Sequence, residues 1–284
     1  MNTVPEPILR FAPSPNGLLH LGHAYSALYT ADWAEKLNGR FLLRLEDTDP
    51  DRCRPEFIEA IIEDLHWLGL DWPEPVLQQS ERFDVYEKQK LTLIEHGLLY
   101  PCFCSRAQIA AIAVNTDPDG APIYPGTCRH LTDTEISHRI GKGEPVQWRL
   151  DTAEATRRTG MLTYTVLQPT PLDRPQIRYA RPERWGDPVI ARKGTATSYH
   201  LSVVVDDAAQ GITHVTRGRD MEAATDIHIL LQFLLGLPAP LYTFHKLILD
   251  EDGKKLSKSR QSLALRNMRE AGWTPEAIRT RLGF

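Results

Sequence analysis

Residues 8–45 read ILRFAPSPNGLLHLGHAYSALYTADWAEKLNGRFLLRL, and their pattern sets the architecture. Ile8 to Phe11 is an apolar run of strand length, followed by a turn carrying Pro13, Pro15 and Gly17. From Leu21 to Leu37 apolar residues recur at helical spacing, at Leu21, Tyr25, Leu28, Trp33 and Leu37. Asn38-Gly39 is a stop signal for that helix, and Phe41 to Leu45 is a second apolar run. Strand, helix and strand in so short a span make a βαβ unit with parallel strands. Ligands of such sheets bind beyond the carboxyl ends of the strands. Arg10, Ser14, His20 and Glu46 all fall at or just past those ends.

The predicted helix start carries two histidines, His20 and His23, three residues apart and so on one face. A helix N-terminus offers unpaired N–H groups and a positive dipole end, which suits phosphate. Gly22, between them, lets a flat ligand approach the backbone. The sequence holds no GxxxxGK[ST] loop and no GxGxxG after a strand, so a bound nucleotide would use this HxGH device. Far along the chain, Lys254-Lys255-Leu256-Ser257-Lys258-Ser259 follows the turn-rich Asp250 to Gly253. Lysines in such a loop can act as point charges on phosphate oxygens. Each stretch alone has an ordinary reading, as a loop with surface histidines or an exposed lysine-rich loop. Their occurrence together favours a phosphate site.

The remaining chain extends the α/β rhythm. Pro55 starts a helix reaching Gly69, and Ser80 starts another reaching Gly97. Asp47, Thr48 and Asp49 are suited to capping the Pro55 helix. From Cys102 to about Trp185 the rhythm gives way to short β-like runs, Val146 to Leu150 and Leu162 to Val166 among them. This stretch reads as an insertion between two halves of a parallel sheet. Leu201 to Val205, Ile212 to Thr216 and Thr243 to Leu249 read as strands, and Glu222 to Leu235 as an apolar helix. Two short helices close the chain.

The 284 residues carry a net charge of −4 and 42% hydrophobic side chains, as a globular protein does. There is no apolar run of membrane-spanning length and no signal-peptide pattern, so a cytoplasmic location is expected. The acidic total excludes a uniformly basic nucleic-acid binder, though Gly253 to Phe284 has eight basic against two acidic residues.

Several residues are suited to binding. Glu46, directly after the second strand, could hold an ammonium group. Arg10 and Arg217, on either side of the insertion, could each fork onto a carboxylate. Tyr199 could add a hydroxyl. Cys102, Cys104 and Cys128 offer three thiolates in a chain expected in a reducing compartment, and zinc takes four ligands. The fourth could be Tyr124 or His130, and general chemistry prefers the imidazole. Such a site, with no open position, would be structural. Reduced, buried cysteines acting as small hydrophobes are the plain alternative. Cys53 stands apart from the set.

The motifs RFAPSP, HLGH, LRLEDTD, YHLSVVVDD, VTRG and KLSKS together resemble those of the glutamyl-tRNA synthetases, a family of class I aminoacyl-tRNA synthetases. The resemblance covers about Arg10 to Ser259, with Leu256 where the lysine motif usually has methionine. Only 25 residues follow Ser259, whereas glutamyl-tRNA synthetases continue into helical anticodon-reading domains. The shorter form is similar to the truncated paralogues called glutamyl-Q tRNA(Asp) synthetases, which attach glutamate to queuosine in the anticodon of tRNA(Asp). The resemblance implies an α/β fold with a Rossmann-like parallel sheet, an inserted zinc-containing connective or acceptor-binding region and a short helical C-terminus. It divides the chain at 1–101, 102–185, 186–259 and 260–284. It implies glutamate binding by Arg10, Phe11, Ala12, Pro13, Ser14, Glu46, Tyr199 and Arg217. ATP, as co-substrate with Mg2+, would be served by His20, Gly22, His23, Lys255, Ser257 and Lys258, with His20, His23 and Lys258 catalytic. The family's zinc pattern falls on Cys102, Cys104, Tyr124 and Cys128, with His130 the fallback. The expected partners are L-glutamate, ATP and queuosine-bearing tRNA(Asp), bound by a monomer.

Three rivals remain at this level. A minimal glutamyl-tRNA synthetase would charge a tRNA 3′ end, and tRNA selectivity would expose it. A small HxGH nucleotidyltransferase would need no tRNA. A catalytically idle tRNA-binding module would fail to exchange pyrophosphate.

Overall fold

The computed structural model describes residues 6–167, 174–249 and 263–284. Its strands are β1 (Ile8–Phe11), β2 (Arg40–Leu45), β3 (Leu77–Gln78), β4 (Leu99–Cys102), β5 (Gln147–Leu150), β6 (Thr163–Val166), β7 (Gln176–Tyr179), β8 (Val189–Ala191), β9 (His214–Gly218) and β10 (Leu241–His245). Its α-helices are α1 (Leu21–Lys36), α2 (Pro55–Trp67), α3 (Phe83–Glu95), α4 (Arg106–Ile112), α5 (Asp133–Gly141), α6 (Thr152–Thr159), α7 (Tyr199–Ala209), α8 (Thr225–Leu234), α9 (Leu265–Glu270) and α10 (Pro275–Leu282). The fold is α/β.

The main sheet has seven strands in the order β3-β2-β1-β9-β10-β6-β7. All pairs are parallel except β6 with β7, an antiparallel edge. The βαβ unit expected from residues 8–45 forms as β1-α1-β2, with Arg10 opposite Leu42 in register. Asn38 takes a left-handed φ of 51° after α1. Gly39 then passes so close to Pro7 that a Cβ would stand 2.3 Å from its carbonyl oxygen, so the sharp return to β2 needs glycine. The carboxyl ends of β1, β2, β9 and β10 face one side, and the cavity described below opens there.

The second sheet, β4-β5-β8, is antiparallel. Of the strands between β4 and β8, β5 pairs with both in the small sheet, whereas β6 and β7 extend the main sheet.

The expected strand at Leu201 to Val205 is instead part of helix α7, and this corrects the sequence reading. Seven consecutive residues, Leu201 to Asp207, are buried on all sides of the helix. A short apolar run looks the same in a buried helix and a buried strand, so periodicity could not separate them. The last strand ends at His245 rather than Leu249. The helix expected from Ser80 begins as a 3-10 turn, Gln79–Arg82, and becomes α-helical at Phe83. Asp47 does not cap α2: its oxygens accept from the backbone N–H and the hydroxyl of Ser80, at 2.8 and 2.6 Å. The N-cap of α2 is Arg54, with no side-chain cap bond. Among the described residues no helix is long and apolar enough to cross a membrane.

Candidate active site

A cavity of about 500 Å³ opens at the carboxyl end of the main sheet. Arg10 and Phe11 reach it from the end of β1, and Ala12, Pro13 and Ser14 from the turn that follows. His20, Gly22 and His23 reach it from the start of α1, Glu46 from just past β2, Tyr199 from the start of α7 and Arg217 from β9. The structure therefore brings together these eleven expected residues, from parts of the chain more than 200 positions apart. Lys255, Ser257 and Lys258 lie outside the described residues. The described chain on either side of 250–262 stands at the cavity: Lys246, Leu247 and Ile248 line it, and Ala264 pairs with His20.

The histidines cap α1 reciprocally. His20 Nδ1 accepts from the Gly22 N–H at 3.0 Å, and His23 Nδ1 accepts from the His20 N–H at 3.2 Å. An imidazole nitrogen that accepts is unprotonated, so in each neutral ring the proton sits on Nε2. The rings pack with centroids 3.8 Å apart. This fixes two N–H donors at a helix N-terminus, an arrangement suited to phosphate oxygens. Gly22 is needed chiefly by His20: a Cβ there would stand 2.9 Å from the ring's Cε1.

Beneath the cavity lies a buried charge cluster that sequence reasoning missed. Arg10 Nε and Nη2 both donate to Asp207, at 2.8 and 3.2 Å. Arg44 Nη1 donates to the same carboxylate at 2.7 Å, and Arg44 Nη2 to Glu46 at 3.3 Å. Burial would push Asp207 up, but the two guanidiniums outweigh it and hold the carboxyl at about 2. Burial pushes Glu46 up despite Arg44 and Arg10. The signal for this cluster was present as charged residues inside apolar runs, Arg44 in FLLRL and Asp206-Asp207 after VVV. Buried charges are paired, but the sequence does not say with what. Asp206 turns away from the cavity, toward Gln79, Arg82 and Tyr86.

Arg217 is differently placed. It donates to His228 Nδ1 at 3.0 Å and lies over the Tyr242 ring, and among the described residues it forms no ion pair with a carboxylate. Burial raises the Tyr199 hydroxyl above its ordinary value, so it stays a neutral donor. Among the residues expected from the sequence, the site thus has one carboxylate, Glu46, to receive a cation and two guanidiniums, one already paired, to receive anions; Asp220 and Lys246 also line the cavity.

The cysteines form a separate centre. The Sγ atoms of Cys102, Cys104 and Cys128 lie within 4.8 Å of one another. Cys104 Sγ stands 3.6 Å from Cys128 Sγ and 3.7 Å from the Tyr124 hydroxyl. Thiolates about 2.3 Å from a tetrahedral zinc stand roughly 3.8 Å apart, so the cluster is of the right size. Tyr124 is buried with its oxygen in the cluster, accepting from the Cys128 N–H at 2.7 Å. His130 is exposed and outside the cluster. Cys53 also lies outside it.

Known proteins resemble the chain over most of its length. The family described as tRNA synthetases class I (E and Q), catalytic domain, matches residues 8–284. A Rhodobacter capsulatus protein named glutamyl-Q tRNA(Asp) synthetase is 44% identical, over 98% of this chain and 100% of that protein. The glutamate–tRNA ligase of Aquifex aeolicus is 41% identical over 95% of this chain, which spans only 55% of that ligase. Among solved structures, an Elizabethkingia meningosepticum glutamate tRNA ligase in complex with its amino acid superposes with a TM-score of 0.71. It is 27% identical, over 95% of this chain and 54% of the ligase.

Proposed function

Because the chain belongs to the class I (E and Q) tRNA synthetase catalytic-domain family, we propose that it activates L-glutamate with ATP and transfers it to queuosine in tRNA(Asp). The coarser activity, ligation of glutamate to tRNA, is supported by every relative named above. The finer acceptor is supported by the Rhodobacter protein and by a Symbiobacterium thermophilum protein of the same name, 40% identical and matched over 85% of its length.

The observation that carries the reading is the division of charge in the cavity. Glu46 holds the amino group of glutamate. Arg217, with no carboxylate of its own among the described residues, takes the side-chain carboxylate. Arg10 has two nitrogens committed to Asp207 and orients the α-carboxylate with what remains. The α-carboxylate oxygen attacks the α-phosphorus of ATP, the bond to the bridging oxygen breaks, and pyrophosphate leaves with the electron pair. The Nε2–H groups of His20 and His23 donate to phosphate oxygens as charge builds on them. Lys258 is assigned to the same charge. Mg2+ bound with ATP supplies further neutralisation of the phosphates. In the second step a hydroxyl of the queuosine ring attacks the activated carbonyl and AMP leaves.

Cys102, Cys104, Tyr124 and Cys128 would hold one Zn2+, which would tie the Cys104–Cys128 loop to the small sheet. No step of the chemistry needs it.

Glutamate-dependent exchange of labelled pyrophosphate into ATP tests the activation step. Exchange with glutamate is expected, with a loss on the order of 100-fold or more in Lys258→Ala and glutamate binding kept. No exchange with the unaltered protein would refute the reading.

A further inference from the structure

We propose that His228 and His200 form a neutral relay that positions Arg217 without cancelling its charge, reserving that guanidinium for the side-chain carboxylate of the substrate. The inference rests on the glutamate reading above and adds two positioning residues to it.

A guanidinium can only donate, so His228 Nδ1, 3.0 Å from Arg217 Nη1, is an acceptor and carries no proton. The proton of the neutral ring is then on Nε2, which faces His200 Nδ1 at 3.3 Å. His200 Nδ1 accepts, and the proton of His200 falls on its own Nε2. One assignment of tautomers satisfies every contact in the row. The row is packed into place by aromatic rings: Tyr199 stands 5.4 Å from His228, and Trp185 meets His200 edge-on at 5.7 Å.

Neutrality follows from the surroundings. His228 is 1% exposed. The charged groups acting on it are Arg217 from β9 and Arg10 from β1, both cationic, with His200 alongside on α7. Burial first, and then these neighbours, push His228 well below its ordinary value, while burial and Arg217 bring His200 to about 4.

The other guanidiniums below the cavity show the alternative. Arg10 and Arg44 share Asp207, and Arg44 also meets Glu46. Those contacts fix position and consume charge together. An imidazole acceptor fixes Arg217 and leaves the whole positive charge to attract an incoming anion. A carboxylate adds the Coulomb attraction of opposite charges to its hydrogen bonds with this cation, and a neutral amide of the same shape does not, so a carboxylate gains more here. The relay thereby favours glutamate over glutamine.

The test compares H228N and H228D with the unaltered protein in glutamate-dependent pyrophosphate exchange, with glutamine as the competing substrate. The Asn oxygen can accept from Arg217 as Nδ1 does, so H228N keeps KM for glutamate within about 3-fold. H228D pairs with Arg217, raises that KM on the order of 100-fold and reduces the preference for glutamate over glutamine on the order of 10-fold. KM for ATP and kcat change by less than about 3-fold in both, a split that general disruption would not produce. An unchanged glutamate KM in folded H228D, or equal damage in H228N and H228D, overturns the proposal. If H228D does not fold, H200N and H200L decide. H200N keeps an acceptor for His228, whereas H200L raises glutamate KM on the order of 10-fold, and equal KM values overturn the relay. Absence of exchange in the unaltered protein would instead refute the glutamate reading itself.

Discussion

Asp207 holds two buried guanidiniums with one carboxylate, Arg44 fully buried and Arg10 only 6% exposed where it meets the cavity. Breaking a buried ion cluster by removing one partner costs about 3–5 kcal/mol, because the remaining charges stay buried. Asp207→Asn is therefore expected to lose that much stability in denaturant unfolding at neutral pH. Its folded carboxyl sits at about 2 against an ordinary 3.8. The stability it contributes is full above the ordinary value and is lost as pH falls through the folded one, so the variant's deficit should shrink in acid. A deficit unchanged between neutral pH and pH 2 would contradict this origin. At this scale the sequence was legible where a motif placed a residue at a strand end, as for Arg10, Glu46 and Arg217. It was silent on which charge answers which, because Arg10 and Asp207 are separated by 197 positions.

The elements were readable wherever periodicity and punctuation agreed. β1-α1-β2 is marked by a 3.6-residue pattern between two apolar runs and closed by Asn38-Gly39. α7 was misread because its apolar run has no polar face to reveal a helical period. A second consequence of element packing is Asp64 on α2. It is fully buried, neither oxygen has a hydrogen-bond partner in the described structure, and Arg269 of α9 stands 3.9 Å away. Burial outweighs Arg269 and Arg266 and raises the carboxyl to about 6. A raised carboxyl binds its proton more tightly in the folded state, so this group costs stability as pH rises from about 4 to 6, and the full cost remains above that. Asp64→Asn should stabilise the protein at pH 8 by roughly 1–3 kcal/mol, raising Tm by about 2–8 °C, with no gain below about pH 4. Equal melting temperatures at pH 8 would contradict it.

On the scale of the molecule, the candidate site and the cysteine cluster lie at different sheets. Among the described residues, none lining the cavity comes from 99–191, the span that holds β4, β5, β8, Cys102, Cys104 and Cys128. Metal analysis is expected to find about one zinc per chain, and Cys128→Ser to lose it. Removing zinc should then lower transfer to tRNA far more than glutamate-dependent pyrophosphate exchange, and equal losses would argue that the two sheets are not separable in function. The parallel sheet was legible because its strands alternate with helices. The true partition between sheets was not, since β6 and β7 carry no local mark of the strand they join. The proposed activity turns on the identity of the acceptor. Labelled glutamate, ATP and Mg2+ should be incubated with the protein and each of three RNAs: queuosine-bearing tRNA(Asp), the same tRNA without queuosine, and tRNA(Glu). Label is expected on the queuosine-bearing tRNA(Asp) alone, whereas label on tRNA(Glu), or on tRNA(Asp) regardless of queuosine, would contradict the proposed acceptor.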